Sequence, residues 1–313
     1  MTYQQTLTEI FGFDAFKPGQ QAVLEKIMAG ESAAAIFPTG AGKSLCYQLP
    51  ALHEPGMTLV VSPLLSLMKD QMAFLQKKNI PAAKLDSAMS AEDYRDALEA
   101  ARQGKLKILM IAVERFDNER FRTQLQQMNV SLLVVDEAHC ISEWGHNFRP
   151  DYLKIPIFQR KFKIPKVLLL TATATPEVVT DMCAKFSIPP SHVVRTGFYR
   201  KNLYLRVLPT QEQDKEKALR QVLSGKPEGA AIVYVTLQKT AENIAQMLKE
   251  NGFDAAAYHA GMENHERERV QNRFMAGFSG QRQKMTVKKR FQSRALHDAM
   301  MTKVVRRFDS INS

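Results

Sequence analysis

The chain has 313 residues, 45% of them hydrophobic and 24% charged, which is too long for one small domain and fits two domains of ordinary size. Three cysteines, Cys46, Cys140 and Cys183, stand far apart with no CxxC pair, which argues against a disulfide framework or a structural zinc and fits a reducing compartment. The formal net charge is +11, yet nine Lys/Arg against two Asp stand from Gln281 onward, so most of the excess belongs to one terminal segment.

The first residues, MTYQQTLTEIFGF, lack the basic and apolar regions of a signal peptide, and no apolar run approaches the ~18 residues of a membrane span. The expectation is a soluble cytoplasmic protein without a membrane partner. In chain order, Ser32–Phe37, Thr58–Ser62, Ile108–Ala112, Ser131–Val135 and Val167–Thr171 read as buried strands. Between them lie helical patterns such as Ser66–Lys77 and Ala91–Gln103. Strands alternating with helical crossovers predict an α/β fold with a parallel, doubly wound sheet. Ligands of such sheets bind beyond the carboxyl ends of the strands.

After a linker at Arg195–Lys201, a second unit of the same layered class begins. Its predicted strands are Leu203–Leu208, Ala230–Val235 and Ala255–His259; its predicted helices are Gln211–Ser224, Thr240–Asn251 and Glu263–Ala276. Gly277 then suits a helix C-terminus. Past it the alternation breaks, with one candidate helix around Ala295–Phe308.

The stretch AAAIFPTGAGKSLCY reads as strand, glycine-bearing turn and helix. Gly40 and Gly42 let the backbone curl so that amides face a phosphate; Lys43 adds a charge, and Ser44 offers a hydroxyl to Mg²⁺. The full GxxxxGK(S/T) pattern fails at its first position, Phe37, while the core Thr39-Gly40-Ala41-Gly42-Lys43-Ser44 remains. Downstream, the buried run SLLVV ends in Asp136-Glu137, which would supply a Mg²⁺ ligand and a general base. An acidic helix N-cap is the plainer reading of a lone Asp-Glu pair.

Ser62-Pro63 suits an N-cap with proline at N1, and Lys69 follows one to two turns on, so that helix end could take a DNA phosphate or be an ordinary capped helix. Directly behind Asp136-Glu137 comes AHCISEWGHNFRPDY. Its Trp144, Phe148 and Arg149 offer stacking surfaces for single-stranded bases, and His146 and Arg149 add polar contacts. The alternative is that Trp144 anchors the core and Arg149 pairs with Asp151. His139, Cys140 and His146 lack a fourth partner and are not read as a metal site.

TGAGKS, DEAH and TATAT (Thr171–Thr175), in that order, resemble superfamily-2 helicases. FGFDAFKPGQQ, PTGAGKSLCYQLPAL, SPLLSLMKDQ, DEAHCISEWGHNFRPDY, LTATAT and FYRKNL together are similar to the RecQ family of DNA helicases, from about Thr6 to Gly277. The resemblance implies two RecA-like (P-loop NTPase) domains, at 1–197 and 198–277, the second incomplete and followed by a basic segment, 278–313. It implies ATP and Mg²⁺ as cofactors, without zinc, and single-stranded and forked or partly duplex DNA as partners. Gln20 would read adenine beside Lys17, where the family usually has Arg. His139 and Thr171-Ala172-Thr173 would transmit nucleotide state, and the aromatic loop would couple DNA binding to hydrolysis. Val113-Glu114 stands where the family usually has Pro-Glu. His259 and Gly261 fall where relatives touch the DNA backbone, while the charges of HERER (265–269) suit either that role or a solvated helix face.

A member would continue past RFMAG into an A-T-x-A-F-G-M-G-I-D-like segment and a Q-x-x-G-R-x-x-R-like helix that supplies an arginine finger. FSGQRQKMTVKKRFQSR matches neither, which reads as truncation or a frame shift after Gly277, with a basic nucleic-acid-binding tail as the rival explanation. The expected function is a 3′→5′ DNA helicase of repair and recombination, impaired in this chain. The alternative is an ATP- and DNA-binding module without efficient unwinding. A small-molecule kinase is disfavoured by the combination of DEAH with the aromatic loop.

Overall fold

A computed structural model describes residues 2–63, 65–86, 89–145, 147–197, 203–204, 206–225, 230–276 and 284–289. The chain forms two compact units, Met1–Phe198 and Tyr199–Ser313.

The first unit is built on seven strands: β1 (Ala33–Ile36), β2 (Met57–Val61), β3 (Ala82–Leu85), β4 (Ile108–Ile111), β5 (Val130–Val135), β6 (Val167–Thr171) and β7 (Val193–Arg195). Their order is β3-β4-β2-β5-β6-β1-β7, with every pairing parallel. The central strands are apolar at successive positions because both faces of the sheet are covered. Ile36, Leu59, Val61, Leu133, Val135 and Leu169 enter one core, while Ala35, Phe37, Val60, Leu132, Val134 and Leu170 enter the other. That division follows the two-residue side-chain period of a strand.

The chain runs from β1 across to β2 and only later fills the gap with β5 and β6. The registers Val61↔Val135, Val135↔Leu169 and Ile36↔Thr171 bring the carboxyl ends of β2, β5, β6 and β1 side by side. The sheet therefore gathers four loops that are distant in sequence at one edge, the expected place for a ligand.

Two strands of this sheet differ from expectation. β3 (AAKL) buries only Leu85, so it carries little apolar signal. β7 occupies Val193–Arg195 and pairs with β1, so Arg195 belongs to the sheet and not to a linker; residues 198–202 lie outside the described set.

The second unit holds β8 (Ala231–Val235), β9 (Asp254–Tyr258) and β10 (Lys284–Lys289), in the order β8-β10-β9 and all parallel. Its core is small, formed by Leu219, Leu223, Val233, Val235, Ala241, Ala245, Leu248 and Ala255. Gln211–Ser224 divides into a 3-10 turn, Glu212–Asp214, and a helix, Lys215–Ser224. The described residues of Leu203–Leu208 form no strand, and Tyr204 and Val207 are exposed there instead. β10 was not anticipated: its period-two apolar pair, Met285 and Val287, is enclosed by lysines that disguise a strand lying between two others. The sheet thus draws on chain beyond Gly277. The candidate helix at Ala295–Phe308 lies outside the described residues.

Candidate nucleotide and nucleic-acid site

The glycine loop leaves β1 and enters the helix Leu45–His53, with Ser44 at its N-cap position. Gly40 (φ 86°) and Gly42 (φ 77°) are both left-handed, a conformation that glycine adopts without a Cβ penalty. At Gly42 a Cβ would also come within 2.6 Å of Gln20 Nε2, so this position is closed to larger residues twice over. Phe37, where the longer motif has glycine, is fully buried, and its ring would lie 2.8 Å from a Cβ on Gly19. That packing explains how the loop keeps its turn with an aromatic residue at its first position.

Each polar side chain over the loop has a partner within it. Lys43 Nζ donates to the Phe37 carbonyl at 3.1 Å, and Lys17 Nζ to the Gly40 carbonyl at 3.1 Å. Gln20 Nε2 donates to the Ala41 and Gly42 carbonyls, at 3.2 and 2.9 Å, while its Oε1 accepts from the Lys17 amide at 2.8 Å. Gln20 is buried, and both ends of its carboxamide are engaged in shaping the loop. Burial lowers the Lys43 pKa, opposed by the facing carboxylates of Glu137 and Asp136. Thr39 and Gly40 are exposed at the rim, and Ala41 is half-buried.

β5 leads directly into Asp136 and Glu137. The Asp136 amide donates to the Val61 carbonyl at 2.8 Å, which continues the β2–β5 ladder into the site. The Asp136 carboxylate accepts from Ser62 Oγ (3.1 Å) and from the Glu137 amide (3.0 Å). Burial, and then the neighbouring Glu137 charge, raise the Asp136 pKa. Glu137 adopts φ 49°, ψ 44°, a left-handed backbone in a residue with a Cβ, which costs about 1–3 kcal/mol and is held only by its surroundings. Its pKa is lowered, first by the hydrogen bond from His139.

His139 is buried and joins several elements. Its Nδ1 lies 2.9 Å from Thr171 Oγ1, at the end of β6, and 3.3 Å from Glu137 Oε2. Its Nε2 lies 3.4 Å from Asn147 Nδ2 and 3.9 Å from Cys140 Sγ. Burial works against the imidazolium, but hydrogen bonds to Cys140 and Glu137 outweigh it and raise the pKa to about 9. Thr171 Oγ1 also donates to the Thr173 carbonyl (3.2 Å) and accepts from the Thr173 amide (3.3 Å), so the turn after β6 is tied to the same histidine.

The aromatic loop begins at once. Trp144 is 79% exposed and so does not anchor the core. Asp151 pairs with Lys154 at 2.8 Å, which leaves the alternative reading, an Arg149–Asp151 pair, without support. The Arg149 amide donates to the Cys140 carbonyl (2.9 Å), and a Cβ on Gly145 would come within 2.9 Å of the His139 carbonyl, so the loop is folded tightly against the DEAH turn. Phe148 and Arg149 are half-buried. His146 lies outside the described residues.

Two expected nucleic-acid contacts are placed differently. Ser62 is 3% exposed with its hydroxyl on Asp136, and the described helix starts at Leu65, so Ser62 is no N-cap open to a phosphate. Its role here is to hold a carboxylate. Lys69 is exposed on that helix. In the second unit, His259 is buried with Nε2 3.3 Å from Glu242 Oε1. Tyr152, at the end of the same motif, is fully buried, and its hydroxyl donates to the Asp136 carbonyl at 3.3 Å.

A glycine loop, an Asp-Glu turn and a threonine turn at adjoining strand ends define a P-loop nucleotide site of the helicase kind. The DEAD/DEAH box helicase family matches residues 17–182, over half of the chain, and the helicase conserved C-terminal domain matches residues 214–297. The chain belongs to the DEAD/DEAH box helicase family. It is 39% identical over 274 residues to ATP-dependent DNA helicase RecQ of Bacillus subtilis, covering 87% of this chain and 46% of that protein. It is 40% identical over 277 residues to the probable ATP-dependent DNA helicase RecS of the same species, covering 87% and 55%. These likenesses put the chain in the RecQ branch of the family. It spans about half the length of the curated relatives it matches. Among solved structures, Mycobacterium smegmatis helicase Lhr bound to ssDNA and AMP-PNP aligns with a TM-score of 0.68 at 19% identity, over 92% of this chain and 41% of that one, a likeness of fold. No helix among the described residues is long and apolar enough to cross a membrane.

Proposed function

We propose that this chain binds ATP with Mg²⁺, hydrolyses it with Glu137 as general base, and couples that step to single-stranded DNA held by the loop around Trp144. The observation that carries the reading is His139, whose Nδ1 reaches Glu137 and Thr171 at the nucleotide edge of the sheet, while the carbonyl of the adjoining Cys140 accepts from the Arg149 amide of the aromatic loop.

Each residue then has a physical task. Loop amides around Gly40–Ser44 and the Lys43 ammonium bind phosphates, with Lys43 exchanging the Phe37 carbonyl for a phosphate oxygen. The Ser44 hydroxyl and Asp136 carboxylate are hard oxygen donors that fit Mg²⁺, which characteristically takes one or two protein ligands beside substrate phosphates. When bound, the ion neutralises charge developing on the phosphates. Glu137, kept ionised by His139, accepts a proton from the attacking water. Trp144, Phe148 and Arg149 stack on bases, worth ~1–3 kcal/mol per base.

The named relatives are ATP-dependent DNA helicases. On that footing the motor is a 3′→5′ DNA helicase of repair and recombination, acting in the cytoplasm on forked or partly duplex DNA. Residues 1–197 form its ATP-binding domain, and the second RecA-like domain follows from 198. The second reading is a module that binds ATP and DNA without efficient unwinding.

Titration with a fluorescent ATP analogue, followed by steady-state hydrolysis, tests the proposal. Lys43→Ala should weaken binding at least tenfold and abolish hydrolysis. Binding that is indifferent to Lys43 contradicts the nucleotide site.

A further inference from the structure

Glu137 depends on a peptide group as much as on its own side chain. The peptide joining Asp136 to Glu137 is held at both ends: its N–H donates to Asp136 Oδ1 at 3.0 Å, and its carbonyl accepts from Tyr152 Oη at 3.3 Å. Beyond it, the Glu137 carbonyl accepts from the Cys140 amide at 2.9 Å. This clamp surrounds the left-handed turn at Glu137 (φ 49°). A glutamate relaxing to a right-handed backbone would redirect its carboxylate away from the site.

Tyr152 belongs to the loop side of that clamp. It stands in the 3-10 turn Pro150–Lys154, directly after Arg149, and its amide donates to the Arg149 carbonyl at 2.9 Å. Its ring is completely buried in the core beneath the sheet edge. A rigid side chain thus links the end of the aromatic loop to the backbone of the general base, and a shift of the Arg149–Pro150 segment is transmitted to the hydroxyl. Ring burial alone does not require this hydrogen bond; Phe would fill the same volume.

We propose that Tyr152 is a positioning residue for Glu137, fixing the Asp136–Glu137 peptide and relaying the state of the Trp144–Arg149 loop to it. This rests on Glu137 being the hydrolytic base proposed above. Tyr152→Phe removes the hydroxyl and keeps the ring, so it separates the bond from the packing.

The test compares the full chain with its Tyr152→Phe variant by amide hydrogen exchange and by steady-state ATP hydrolysis with and without single-stranded DNA. The expected results are exchange at the Glu137 amide about tenfold faster, kcat down about tenfold and KM for ATP within twofold, since small misplacement of a reacting group is costly. Faster exchange confined to residues 136–141, with an unchanged melting temperature for the rest of the first unit, marks a local positioning effect. Unchanged exchange, or faster exchange with unchanged kcat, overturns the proposal, as does a rise in KM that accounts for the whole loss. If the wild-type chain shows no Lys43-dependent hydrolysis, the nucleotide-hydrolysis reading fails instead, and the exchange comparison alone decides whether Tyr152 holds the peptide.

Discussion

Asp136 and Glu137 are adjacent carboxylates pushed in opposite directions. Burial raises the Asp136 pKa, and the hydrogen bond from His139 lowers that of Glu137. A cation at Asp136 would remove the penalty its burial imposes, while Glu137 is already charged and able to accept a proton. Glu137→Gln keeps the size and loses the basicity. We expect nucleotide affinity within about threefold of wild type and kcat reduced at least about 10²-fold, read by comparing equilibrium titration with steady-state turnover. His139 gives a second prediction at this scale. Its pKa of about 9 in the folded protein exceeds the ordinary 6.5, so folding favours its protonated form. That stability is fully present below about pH 6.5 and is lost as pH rises through about 9, with an upper bound of about 3 kcal/mol. The melting temperature of the first unit should fall across this window, and His139→Gln should flatten the profile; parallel profiles would show that the imidazolium contributes nothing.

Among the elements, the buried parallel strands were the most legible in the sequence. Strands covered on both faces need near-continuous apolar runs, and β2, β4, β5 and β6 have them. β3 was missed because only Leu85 is buried, and β10 because lysines flank its apolar pair. LYLRVL reads as a strand, yet its described residues have no ladder partner. In the site, TGAGKS and DEAH were legible because their spacing is local. Ser62–Asp136 and Tyr152–Asp136 were not: the first needs β2 beside β5, and the second a loop that folds back on the DEAH turn. β10 carries its own prediction. It pairs with strands on both sides, so its amides serve the ladder. Thr286→Pro removes one of them and should destabilise the second unit by on the order of 3 kcal/mol, seen as loss of amide protection in β8 and β9 while β1–β7 keep theirs. Protection retained in β8 and β9 would place β10 outside the sheet's working structure.

As a whole molecule, the chain combines a large unit with two extensive cores and a small unit whose core is rich in alanine. The first contains the glycine loop, the DEAH turn and the aromatic loop, with Trp144 exposed on the last. A coupled motor requires that occupancy of the aromatic loop alter chemistry at the other two. The most direct measurement is the ratio of ATP hydrolysis with and without single-stranded DNA, taken for wild type and Trp144→Ala at fixed ionic strength, because phosphate contacts are strongly salt-dependent. Coupling of this kind predicts DNA stimulation in the wild type and a ratio near one for Trp144→Ala with its DNA-free rate retained. Equal stimulation in both proteins would contradict the coupling.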